Sequence, residues 1–144
     1  MRPHPYLRAY MAGIAVPTVF LLCIMTVYAL TSYYLEVPSQ FVFGLPARPL
    51  ARAIVFPLAL VPNIWGAWNV LYASVRSRVE WPLAAHGALL PLVLIPGGVL
   101  LARAFDVFTI QMRFALPVIP IGMAVYYLVW KYLVGFLNKD LGIA

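Results

Sequence analysis

The sequence predicts an all-α fold: a polytopic integral membrane protein of four proline-bent transmembrane helices in an antiparallel bundle. Three observations predict it. The 144 residues are 65% hydrophobic and only 10% charged, against roughly 25% charged in average soluble domains. Water would leave so apolar a surface uncovered, so lipid is the expected solvent. Four apolar stretches, about 10–35, 50–74, 82–102 and 114–137, are each near the ~20 residues that cross a bilayer core. Prolines stand in all four: Pro17, then Pro57 and Pro62, then Pro91 and Pro96, then Pro117 and Pro120. The spans use nearly all of 1–144, which reads as a single transmembrane domain with no extramembrane one.

Met1 to Arg8 is basic and carries two prolines. The apolar run Tyr10–Leu35 follows. It exceeds the ~7–15 residues of a signal-peptide core, and no A-x-A site closes it, so it reads as an uncleaved helix. Pro17 is expected to kink it, because proline lacks the N–H and clashes with the carbonyl four residues back. Tyr28, Tyr33 and Tyr34 mark an interfacial belt. In Glu36–Pro49, EVPSQFVFGLPARP, three prolines and a glycine argue against a regular helix. Its apolar middle, FVFGL, is expected in the membrane interface.

The second span, Leu50 to about Ser74, holds the most unusual stretch, FPLALVPNIWGAWNVLY at Phe56–Tyr72. Its prolines recur at the same spacing in LPLVLIP, Leu90–Pro96. The likeness ends there and reads as a similar local bend, not a duplication. The short turn VRSRVEWP, Val75–Pro82, makes spans two and three antiparallel neighbours. Span three starts with Pro82, well placed for a helix first turn, and is weakened by Gly97 and Gly98. After Arg103–Arg113, span four runs from about Phe114 to Leu137. Tyr126, Tyr127, Trp130, Lys131 and Tyr132 form its exit belt, and NKDLGIA is a short polar tail.

The net charge is +6, but the ten basic residues are scattered at span ends. That pattern anchors a membrane protein and excludes nucleic acid as a partner. With both termini inside, Arg2, Arg8, Arg76, Arg78, Lys131 and Lys139 face four outer arginines. The excess places both termini in the cytoplasm, in a plasma (inner) membrane. Cys23 has no second cysteine to pair with.

Catalytic constellations are missing. The carboxylates Glu36, Glu80, Asp106 and Asp140 lie near span ends, and His4 and His86 stand far apart. There is no HExxH, phosphate loop, dinucleotide fingerprint or nucleophile elbow. The chain is expected not to be an enzyme, and to take no metal and no cofactor.

On span two, Leu58, Pro62, Trp65, Asn69 and Tyr72 fall on one stripe at helical spacing. An asparagine amide in lipid must find partners. Pro57 and Pro62 free the carbonyls of Ala53 and Leu58, and Asn63 is expected to donate to that turn. His86 sits at the depth of Asn69 on the neighbouring span. Together Asn63, Trp65, Trp68, Asn69, Tyr72 and His86 are expected to line a polar pocket with aromatic walls. The plainer alternative makes them interhelical glue. Arg48, Arg52, Arg103 and Arg113 are candidate lipid-headgroup ligands, since arginine holds phosphate bidentately, or else interface anchors. The expected function is a noncatalytic small-molecule or lipid carrier or channel built by self-association, with membrane lipids as partners. The alternative is a structural or assembly subunit of a larger membrane complex.

Overall fold

A computed structural model describes residues 4–34, 41–42, 45–107, 113 and 116–143, the side chains of 34 and 41–50 excepted. Among them, four helices are long and apolar enough to cross a membrane: Pro5–Tyr33, Ala51–Val75, Leu83–Ala104 and Val118–Asp140. A two-residue antiparallel pair, β1 (Phe41–Val42) with β2 (Leu45–Pro46), lies between the first two. Of the expected irregular stretch Glu36–Pro49, residues 36–40 and 43–44 fall outside the described residues.

The first long helix, α1 (Pro5–Ala29), starts earlier than the expected Tyr10. Pro5 suits a first turn, where its missing N–H has no intrahelical partner to lose. Arg8 is therefore a helix residue, and its Nη1 donates to the Leu141 carbonyl. Pro17 is buried inside α1, which continues past it into a wide π turn, Leu30–Tyr34.

The second long helix is not the single stretch expected from Leu50 to Ser74. It is α2 (Ala47–Val55), a 3₁₀ turn at Leu58–Leu60, then α3 (Val61–Val75). Helix already exists before Pro49, contrary to the irregular reading through that residue. Pro49 lies in the first turn of α2, where proline is tolerated. The break falls at Pro57, which has no N–H to continue α2. Pro62 sits at the start of α3, where a missing donor costs little.

The third long helix is α4 (Leu83–Ala88) followed by α5 (Pro91–Ala104). Its irregularity lies at Leu89–Leu90, ahead of Pro91. The expected weak point, Gly97–Gly98, is continuous helix within α5. The fourth is α6 (Val118–Val129), a π turn at Trp130–Val134, and α7 (Gly135–Asp140). It runs past the expected end at Leu137, so Asn138 belongs to the helix and not to a polar tail.

The third and fourth helices end alike. Val107 N–H reaches back to the Ala102 carbonyl at 2.8 Å, and Asp106 N–H to Arg103 at 3.2 Å. Ile143 N–H reaches Asn138 at 2.7 Å and Gly142 N–H reaches Lys139 at 3.0 Å. Both are Schellman ends, which need a left-handed residue after the helix. Asp106 at φ 50° and Gly142 at φ 66° supply it. The following apolar residues, Val107 and Ile143, turn back into buried clusters.

Small residues set the packing. A Cβ on Gly13 would stand 2.6 Å from the Trp65 carbonyl oxygen and 2.8 Å from Gly66 Cα. Here α1 and α3 touch backbone to backbone. Further along, Ala9 lies against Asn69, and Phe20 shares a cleft wall with Leu58 and Pro62. On the other pair, Leu83 meets Gly135, Gly87 meets Trp130, and Pro91 meets Gly122. One end of the fold thus gathers Ala9, Asn69, His86 and Asn138. The other gathers Ala53, Ala102 and Val107, with Phe56 and Phe105 edge to face at 4.9 Å.

Gly13→Ala should lower the thermal unfolding midpoint in detergent, at a cost on the order of 1–3 kcal/mol for overpacking. Gly98, whose Cβ would meet nothing within 4 Å, should accept alanine without loss, since alanine favours helix. Equal effects at the two sites would contradict the close approach.

Candidate functional site

Two features stand out: a polar cluster at one end of the fold and an apolar cleft beside it. In the cluster, Asn69 is fully buried, and Asn138 is 1% exposed. Asn69 Nδ2 donates to the Ala9 carbonyl at 2.7 Å and to Asn138 Oδ1 at 2.7 Å. Asn138 Nδ2 returns a bond to Asn69 Oδ1 at 3.0 Å. A carbonyl can only accept, so Ala9 fixes which way the Asn69 amide points, and the pairing fixes Asn138.

Asn138 arrives there because of the wide turn before it. Residues four apart on an α-helix drift by about 40° per step, at 100° per residue. The π turn, closed by Gly135 N–H on the Trp130 carbonyl five residues back, takes up that drift. Trp130, Val134 and Asn138 consequently all stay on the buried line.

His86 forms a second exchange with α3. Trp68 Nε1 donates to the His86 carbonyl at 3.0 Å. His86 Nε2 lies 3.1 Å from the Trp68 carbonyl, so Nε2 carries the proton. The two rings stack at 4.9 Å and 28°, with Tyr72 at 5.4 Å and Trp130 at 6.2 Å from the imidazole. Trp130 fills the space left by the absent side chain of Gly87, then meets Trp65 at 5.6 Å.

The six residues expected to line a polar pocket are distributed between these features. Trp68, Tyr72 and His86 do come together, and Asn69 lies at the same end. However, Asn69 spends its amide on Ala9 and Asn138, and His86 spends Nε2 on Trp68. In the preceding turn the Leu58 carbonyl accepts from Val61 N–H. Asn63 Oδ1 accepts from the Tyr10 hydroxyl at 2.6 Å.

Trp65 belongs to the second feature. A cleft of about 370 Å³ opens between the first, second and fourth long helices. Val16, Val61, Trp65, Tyr126 and Val129 are among its walls. Phe20 and Val125, also lining it, are 68% and 51% exposed, so the cleft opens sideways at mid-length. No charged side chain lines it among the described residues.

The arginines lie elsewhere. Arg52 lines a groove with Phe56 and Phe105 at the opposite end of the fold. Arg103 and Arg113 are exposed, do not line that groove, and are held by interactions of their own. The Arg48 side chain falls outside the described residues. Among the described residues no three His, Cys, Asp or Glu side chains gather where they could hold a metal ion.

Sequence reasoning missed Tyr10, Asn138 and Gly87. Asn138 had one legible signal, its spacing of four and eight residues from Val134 and Trp130. Tyr10 had none, since a tyrosine at a helix start also reads as a belt residue. Compared with known protein families, with curated proteins and with solved structures, the chain matches none of them.

Asn69→Leu and Asn138→Leu should each lower the unfolding midpoint in detergent. The double variant should lose less than their sum, with a coupling of about 0.6–1.7 kcal/mol, the scale of intramembrane hydrogen bonds. Strict additivity in that double-mutant cycle would remove the pairing.

Proposed function

We propose that the chain is an integral membrane protein of four antiparallel spans that holds a lipophilic molecule in its lateral cleft and does no chemistry on it. The apolar, sideways-opening cleft is the observation that carries this reading. Around it, large apolar side chains stand exposed on every long helix, among them Phe20, Leu71, Leu100 and Ile121. Hydrocarbon tolerates that surface and water does not. An apolar hollow at mid-span, surrounded by lipid, accepts a hydrocarbon chain and rejects an ion, which would arrive without a counter-charge.

Both termini lie on the cytoplasmic side of an inner membrane in this proposal, supported by the basic excess there. Self-association into a carrier or channel completes it, because four spans enclose little space alone. A second reading, a structural subunit of a larger complex, is supported by a different observation. Asn69, Asn138 and His86 all direct their hydrogen bonds inward, as packing residues do.

Trp65 separates the two readings, because it is only 5% exposed and bulk lipid does not reach it. Vesicles containing a phospholipid with a mid-chain diazirine should place label on Trp65 after irradiation. Label confined to outward residues such as Leu100 and Ile121 would remove the lipophile reading and leave the structural one. For orientation, single cysteines at Arg78 and Ser39 in a Cys23→Ala background can be reacted from outside intact cells. Position 39 should label and position 78 should not; the reverse pattern would invert the topology.

A further inference from the structure

We propose that the chain self-associates across the outer face of α3, where Asn63 of one copy pairs with Asn63 of a second. This rests on the chain spanning a membrane, as proposed above, and not on what the cleft holds. Asn63 is the middle residue of the 25 in the helix Ala51–Val75. Its side chain is exposed. Oδ1 accepts from the Tyr10 hydroxyl at 2.6 Å, while Nδ2 donates to no group among the described residues. An amide donor at mid-span faces hydrocarbon, which supplies no acceptor, and leaving it bare is costly.

A second copy supplies the missing acceptor. An amide carries donor and acceptor side by side, so two copies of the same amide satisfy each other. The chain already builds that arrangement internally, between Asn69 and Asn138. Asn63 Oδ1 has two lone pairs and Tyr10 occupies one. Across a two-fold axis like meets like, and each Nδ2 donates to the Oδ1 of the other copy.

The surrounding face suits a helix partner. Asn63, Ala67, Leu71 and Ser74 of α3 are all exposed, and none lines the lateral cleft. Spacings of four, four and three residues keep them within an arc of about 80° at 100° per residue. That is the seam of two packed helices. Ala67, one turn from Asn63, is small enough for close approach. Ser74 returns its hydroxyl proton to the Leu71 carbonyl at 2.8 Å, so it asks nothing of a neighbour.

The test uses full chains carrying donor or acceptor dyes on Ser77→Cys in a Cys23→Ala background, mixed in phosphatidylcholine vesicles. Carbonate-washed vesicles are floated first, then diluted with lipid while energy transfer is read. Asn63→Leu should dissociate at a protein-to-lipid ratio about tenfold higher, the scale of one or two intramembrane hydrogen bonds. Asn63→Gln keeps an amide and should retain association. Tyr10→Phe removes only the internal bond and should retain it too. Ala67→Cys in the same background should give a covalent dimer on oxidation, and Leu100→Cys, exposed on another helix, should not. A floated chain that stays monomeric at every dilution, or one whose association survives Asn63→Leu unchanged, would overturn the inference and leave the spanning reading intact. A chain that does not float with the vesicles removes both.

Discussion

The rest of the structure depends on the amide pair of Asn69 and Asn138 and its link to the Ala9 carbonyl. In an apolar medium an unpaired amide costs several kcal/mol. The position of three helices is therefore tied to one small set of bonds. Asn69 cannot turn away from Ala9 without leaving a donor bare. Asn138 cannot shift along its helix without stranding the Asn69 oxygen. Their buried surroundings offer neither group a substitute, as water would.

Close packing turns that constraint into a fold. Gly13 and Gly66 bring α1 and α3 near enough for Ala9 to be reached. Gly87 leaves room for Trp130, and Trp130 joins the stacked Trp68–His86 pair to Trp65. Polar satisfaction and steric fit thus agree at the same end of the molecule, which marks a well-specified structure. The other end rests on Ala53, Ala102, Val107 and the Phe56–Phe105 contact.

Length and apolarity made four helices legible, because those properties are averages over many residues. Where each helix breaks was harder to read. The paired prolines of Phe56–Pro62 and Leu90–Pro96 both read as bends, and the helices do break by Pro57 and just before Pro91, whereas the weakness expected at Gly97–Gly98 is continuous helix. Glycine only lowers helix preference, whereas proline removes a bond outright. Within the site, the shared depth of His86 and Asn69 was legible, but the stacking of His86 with Trp68 and Tyr72 was not. Nor were partners distant in sequence. Asn69 pairs across 69 positions, and Tyr10 reaches Asn63 across 53; no periodicity carries such information. The cleft was equally hidden, because an absence of atoms depends on how three helices meet.

The distance between Asn69 and Asn138 also has a meaning in time. A ribosome delivers the first asparagine long before the second. While the chain is still growing, Asn69 can already clasp Ala9, because both helices have emerged, but its oxygen has no donor. The early helix pair is therefore a waiting state with one open polar socket. Delivery of the last helix closes it. A chain that stalls or is clipped before residue 138 leaves that socket open, a polar flaw for proteolytic surveillance to recognise.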